Sequence, residues 1–133
     1  MKKVFVLVLV FVQVLACSAQ IKGRFYNEDQ KALFVINLER DTIDVPGLEG
    51  LETCYGVLSG NLNGRWIILK VKSQKESSAV VRVTCDRGND AEDITLTLRG
   101  DELIMQQKDN YIKCVQGKKY AKLPKQFIFK RIQ

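Results

Sequence analysis

Histidine is absent from the 133-residue sequence. That absence removes Ser-His-Asp and Cys-His nucleophilic catalysis, imidazole-based zinc sites and a histidine charge switch near neutral pH. Cysteine is sparse: Cys17, Cys54, Cys85 and Cys114 stand far apart, with no C-x-x-C spacing for a thiolate metal centre or a thioredoxin-type dithiol. There is no glycine-rich phosphate loop and no G-x-S-x-G elbow. The sequence therefore asks for no cofactor and shows no catalytic constellation. Beyond the first 20 residues, no apolar stripe at helical spacing reaches a useful length, so helix is expected to be scarce.

Lys2 and Lys3 open the chain, an apolar run over residues 4–15 is broken only by Gln13, and the small residues Ala16, Cys17, Ser18 and Ala19 follow. This three-part order reads as a secretory signal peptide over residues 1–19, with a single domain over 20–133. The run is shorter than the roughly 20 residues that a spanning helix needs. A second reading makes Cys17 the lipidated first residue of an envelope lipoprotein, because Val14-Leu15-Ala16-Cys17 is similar to a lipobox. On the first reading the protein is secreted or periplasmic. On the second it is tethered to the membrane through Cys17. Without Cys17, one disulfide among Cys54, Cys85 and Cys114 plus one thiol is open, and so is a set of buried small hydrophobes.

The net charge of +6 is unevenly spread. Residues 20–64 hold four basic side chains against seven acidic, whereas residues 110–133 hold seven basic and no acidic. Lys113, Lys118, Lys119, Lys122 and Lys125 dominate that segment, with Lys130, Arg131, Tyr111, Tyr120 and Phe127 among them. Such a surface attracts anions, whether an acidic glycan, a lipid phosphate or an acidic protein. Nucleic acid is not the expected partner of an exported chain.

From residue 66 onward the apolar period is two. Ile94, Leu96 and Leu98 alternate with Thr95, Thr97 and Arg99, the pattern of a half-buried strand. Similar runs cover residues 66–72, 79–85, 103–108, 111–115 and 127–132. Gly100-Asp101 and Asp109-Asn110 are two-residue breaks suited to tight hairpins, so residues 66–116 are expected to form a meander. Residues 117–126 read as a long lysine-rich loop before the last strand. Shorter strands are expected over 21–26, 33–38, 42–45 and 54–59, with breaks at Pro46-Gly47 and Gly60-Asn61. The predicted fold class is all-β, a small antiparallel barrel or flattened sandwich of about eight strands.

Two further motifs carry chemistry in principle. Asp86, Asp90, Glu92 and Asp93 crowd one segment and could offer oxygen ligands to calcium, though their spacing is not that of an EF-hand. Arg99-Gly100-Asp101 spells an integrin-binding tripeptide at an expected hairpin tip, where a solvent-facing turn would use the same residues.

Gly64-Arg65-Trp66, followed by apolar Ile67 and Ile68, resembles the G-x-W signature of the lipocalin and calycin β-barrels. The resemblance implies an up-and-down barrel in which Trp66 closes one end and packs against an arginine of a late strand. Arg131 is the candidate for that partner. It also implies an interior able to hold a small apolar ligand. The chain resembles the small barrel inhibitors of secreted cysteine proteases in size and class alone. The expected function is that of an exported, non-enzymatic binding protein engaging an anionic ligand, a small apolar ligand or a protein. The alternative is an inhibitor or immunity protein that blocks a secreted enzyme.

Overall fold

The computed structural model describes residues 21–45, 53–88 and 90–132. The expected signal segment with Cys17, and the Pro46-Gly47 break, lie outside these residues. Among the described residues the chain is all strand and turn, without helix. In order, the strands are β1 (Lys22–Asn27), β2 (Ala32–Asn37), β3 (Ile43–Asp44), β4 (Thr53–Cys54), β5 (Gly56–Ser59), β6 (Trp66–Lys75), β7 (Ser78–Cys85), β8 (Ala91–Arg99), β9 (Glu102–Gln107), β10 (Lys113–Gln116), β11 (Lys119–Lys122) and β12 (Phe127–Arg131).

Eight of these close into one antiparallel barrel in the order β1-β12-β9-β8-β7-β6-β5-β2, and β3–β4 and β10–β11 form two separate two-stranded ribbons. The ring closes at β1, where Phe25 pairs with Phe34 of β2 on one side and with Arg131 of β12 on the other. Closure decides between the two expected architectures in favour of the barrel. It also satisfies the main-chain groups of both outer strands, which an open sheet would leave bare.

The alternation of side chains explains what fills the ring. Phe25, Phe34, Ile36, Leu58, Trp66, Ile68, Val81, Val83, Ile94, Leu96, Leu103, Met105, Phe127 and Phe129 all belong to one buried cluster. Small residues interleave with large ones. Gly56 stands opposite Ile68 in the ladder, and a Cβ there would meet the Ile68 Cδ1 at 2.9 Å. Phe129 makes edge-to-face contacts with Phe34 and Phe127, with ring centroids 5.6 and 4.9 Å away. An eight-stranded barrel is just wide enough to be filled in this way by its own side chains. Two register shifts in the β6–β7 ladder, between Ile68 and Lys70 and between Val71 and Ser73, add the local twist that closure requires.

A second, smaller apolar cluster lies on the outer face, where β3 and β4 lay Val45, Ile43 and Cys54 over Ile67 and Val57. The Cys54 thiol donates to the carbonyls of Gly56 and Ile43, and burial pushes its pKa up. Cys54, Cys85 and Cys114 are all free thiols. Cys114 lies in the main cluster and Cys85 packs against it, so these two serve as small hydrophobes and the disulfide reading falls away.

The strand pattern of residues 66–107 matches the expected meander, including the Gly100-Asp101 turn, where Gly100 takes φ +60°. The fifth run departs from it. β10 leaves the barrel and pairs with β11, and the β9 neighbour in the ring is β12. Asn110 adopts φ +61° between them, and three main-chain N–H groups after β9 are drawn onto Glu92 instead of a hairpin ladder.

Trp66 begins β6 at the barrel end that β10 and β11 cover, and it is wholly buried. Its indole N–H donates to Asn63 Oδ1 at 3.1 Å. Arg131 ends β12, on the inward row after Phe127 and Phe129, toward the opposite end of the barrel. The ring beneath its guanidinium is Phe25, 4.7 Å away, and its Nη1 donates to the Lys22 carbonyl. The stacking expected between Arg131 and Trp66 is thus made with Phe25, because the strand order sets the two residues at opposite ends. Gly64 takes φ +143°, and a Cβ there would stand 2.7 Å from the Cys85 sulfur.

Gly64→Ala is accordingly expected to lower the unfolding free energy by roughly 1–3 kcal/mol, from backbone strain and overpacking together. Gly88→Ala, where nothing lies within 4 Å, is the matched control and should change stability by no more than about 0.5 kcal/mol. Urea unfolding of the two variants beside the parent checks this.

Candidate partner-binding site

The ribbon sits over the Trp66 end of the barrel, and polar side chains hold it there. Glu92 is buried to 0 % exposure at the start of β8. Its Oε1 accepts the Asp109 N–H at 3.0 Å, and its Oε2 accepts those of Tyr111 and Ile112 at 2.8 and 3.3 Å. Gln107 Oε1 takes the Ile112 N–H as well. Asn63 works from the other side. Its Oδ1 receives the Lys113 N–H in addition to the indole, its Nδ2 donates to the Tyr111 carbonyl, and its own N–H donates to the Lys113 carbonyl. These bonds let Ile112, Cys114, Leu62 and Leu123 drop into the apolar cluster as a lid. A segment rich in charge can lie on an apolar barrel end because its main chain is satisfied in this way.

The expected lysine loop is therefore a hairpin. Gly117, at φ +62°, and Lys118 make a two-residue connection between β10 and β11. The ladder pairs Lys113 with Lys122, Cys114 with Ala121, Val115 with Tyr120 and Gln116 with Lys119. Directly opposed side chains share a face. Cys114 and Ala121 turn to the barrel. The outer face carries Lys113 against Lys122, with Val115 and Tyr120 beside them.

The structure thus sorts the five lysines. Lys113 and Lys122 form a direct cross-strand pair of like charge, and Lys118 stands at the exposed turn. Lys119 belongs to the opposite face, though it too is exposed. Lys125 follows the ribbon and borders a shallow groove on the outer barrel wall with Asp93, Thr95, Gln106, Lys108 and Asn110. None of the five ammonium groups makes an ion pair among the described residues. Of the interleaved aromatics, Tyr111 and Tyr120 are exposed, at 43 and 57 %, while Phe127 points into the barrel core. Val115, Asn63 and Glu92 were not singled out by sequence as parts of this surface. Only the glycine at 117, midway between two four-residue runs, signals the ribbon locally.

Elsewhere several cations are held in ion pairs, Arg65, Lys72 and Arg82 among them. Arg65 Nε and its main-chain N–H both donate to the Asp86 carboxylate at 2.9 Å. Burial pushes the Asp86 pKa up, but these Arg65 hydrogen bonds and the neighbouring guanidinium charges outweigh it and hold it below its ordinary 3.8. Asp93, on the outer face of β8, accepts from Lys72 and Arg82 at 2.8 and 3.0 Å, and these bonds hold its carboxyl low as well. The acidic segment is in this way dispersed. Asp86 serves Arg65, Glu92 serves the lid and Asp93 serves two cations on neighbouring strands, so the segment does not converge on a common point. Arg99-Gly100-Asp101 lies at the far end of the barrel, where the Asp101 carbonyl accepts the Arg131 N–H at 2.7 Å.

No family model, curated protein or solved structure matches this chain. The barrel is of the general lipocalin-like type, eight antiparallel strands closed on themselves.

Two outcomes follow from this geometry. Glu92→Gln replaces one acceptor oxygen by a donor that faces main-chain N–H groups, and should cost roughly 1–3 kcal/mol, measured by urea unfolding. Hydrogen exchange should rise at residues 109–113 before the rest of the barrel. The second outcome concerns acid. Asp86 and Asp93 have lowered folded pKa values, so their contribution is complete above 3.8 and is lost as pH falls through the lowered values. Melting temperature should fall between about pH 5 and about pH 2, and Asp86→Asn should make that decline shallower.

Proposed function

We propose that this chain is an exported, non-enzymatic binding protein of the lipocalin and calycin kind, and that it engages an anionic partner through the outer face of the β10–β11 ribbon. The observation that carries the reading is the opposition of Lys113 and Lys122 in one cross-strand pair, with Tyr120 alongside and no acid in the hairpin. Like charges directly opposite each other cost stability, and a bound anion would offset that cost. The filled barrel interior favours this surface over an internal site for a small apolar ligand. Export rests on the order of residues 1–19, and a lipid on Cys17 would keep the same surface at a membrane.

A second reading has the ribbon tip as the blocking element of an inhibitor or immunity protein. Residues 116–120 are exposed without interruption around a tight turn, a shape that fits a cleft. Recovery of a secreted hydrolase in stoichiometric complex, with loss of its activity, would favour this second reading.

A size-defined heparin fragment is the probe for the first. The parent protein should bind it at low salt and release it as ionic strength rises past about 0.15 M, where the Debye length is near 8 Å. Replacing Lys118, Lys119, Lys122 and Lys125 by Glu should weaken binding by roughly tenfold or more without lowering the melting temperature, since Glu at 122 relieves the repulsion with Lys113. Unchanged affinity in that variant would remove the ribbon as the site.

A further inference from the structure

We propose that β11 is a docking edge for an extended acidic segment of a partner polypeptide, which joins the ribbon as a third strand. This rests on the anion-binding reading above and narrows its partner from any anion to a peptide chain.

The direction of the main-chain groups carries the inference. The Lys113 carbonyl accepts from the Asn63 N–H at 2.9 Å, and the Val115 N–H donates to the Asn61 carbonyl at 3.0 Å. Residues 113 and 115 therefore turn their main chain toward residues 61–63. Along a strand these groups point alternately to its two sides, so Cys114 and Gln116 face β11 and bond with their partners Ala121 and Lys119. The remaining residues of β11, Tyr120 and Lys122, turn their N–H and C=O groups away from β10. Among the described residues no strand stands on that side. The barrel has no edge at all, which makes this row of free donors and acceptors on the ribbon stand out.

The side chains of the same two residues select the guest. Tyr120 and Lys122 share the outer face with Val115 and Lys113. A guest residue paired with Lys122 would lie beside two ammonium groups, and one paired with Tyr120 would lie beside an exposed ring. The next position along the row leads to Lys118 at the turn. The guest pattern that this row accepts is acid, any residue, apolar, any residue, acid, in an extended strand. An acidic glycan or a lipid headgroup could meet the ammonium groups but has no main-chain row to match the edge. Strand addition supplies both.

The capped peptide Thr-Glu-Thr-Val-Thr-Glu-Thr is the probe, with affinity read by fluorescence anisotropy. Its analogue N-methylated at alternate residues keeps the charge and loses the edge hydrogen bonds. On the protein side, Tyr120→Pro removes an N–H that the ribbon does not use, and Tyr120→Ala is its control for the lost ring. The peptide should bind the parent and Tyr120→Ala. N-methylation, and Tyr120→Pro relative to Tyr120→Ala, should each weaken it by roughly tenfold, the scale of one or two net hydrogen bonds. Heparin fragment and phosphatidylglycerol vesicles should not distinguish Tyr120→Pro from Tyr120→Ala. Equal binding of the methylated and unmethylated peptides, or equal binding by the two Tyr120 variants, would overturn strand addition. So would binding of heparin or vesicles with none of the peptide, and that result would leave the anion-binding reading standing. Loss of heparin binding in no lysine variant would remove the broader reading instead.

Discussion

Glu92 has no exposure to solvent, and three main-chain N–H groups converge on its carboxyl group from the segment that has just left β9. A buried acid is costly unless it is fully hydrogen-bonded, and a buried loop is costly for the same reason. Here the two requirements satisfy each other. The carboxyl group gathers residues 109–112, Ile112 is carried into the barrel end, and Asn63 then receives the start of β10. The position of every lysine in the ribbon follows from that sequence of bonds. Remove the acid and residues 109–112 lose their anchor, leaving Asn63 and Asn61 to hold the hairpin from the other side.

Much of the fold was legible because its strands alternate strictly. Ile94, Leu96 and Leu98 on one face and Thr95 and Thr97 on the other can be placed in no other regular structure, and Gly100 supplies the positive φ that the turn after them needs. Closure was not legible, since nothing in the residues of β1 says that Phe25 meets Phe34 and Arg131 at once. The ribbon was read in halves. Residues 111–115 were expected as a strand of the meander, and Lys-Tyr-Ala-Lys of β11 has too little apolar character to register as a strand. The deciding partner, Glu92, lies about 20 residues away in sequence and looks like one of several acids in a polar segment. The basic surface itself was visible in the charge count. What the count cannot convey is that Lys113 and Lys122 face each other while Lys119 faces the other way.

The two ends of the barrel differ in how they are finished. At one, Trp66, Asn63 and the lid make a sealed, hydrogen-bonded cap. At the other, Arg131 lies over Phe25 and binds the Lys22 carbonyl, a cation closing the inward aromatic row of β12. Trp66 and Arg131 each find a use, but not with each other. Cys54, Cys85 and Cys114 likewise fill apolar space without forming a bridge.

An unpaired strand edge is also an invitation to self-association, and here the residues along it forbid that. Two copies meeting β11 to β11 would set the Lys122 side chains of both, each beside its own Lys113, on one shared face. Because the other side of β10 is bonded to residues 61–63, such pairing would stop at two copies, and the like charges oppose even that. A free edge lined with lysine is in this way guarded against its own copy while it stays open to a strand of opposite charge.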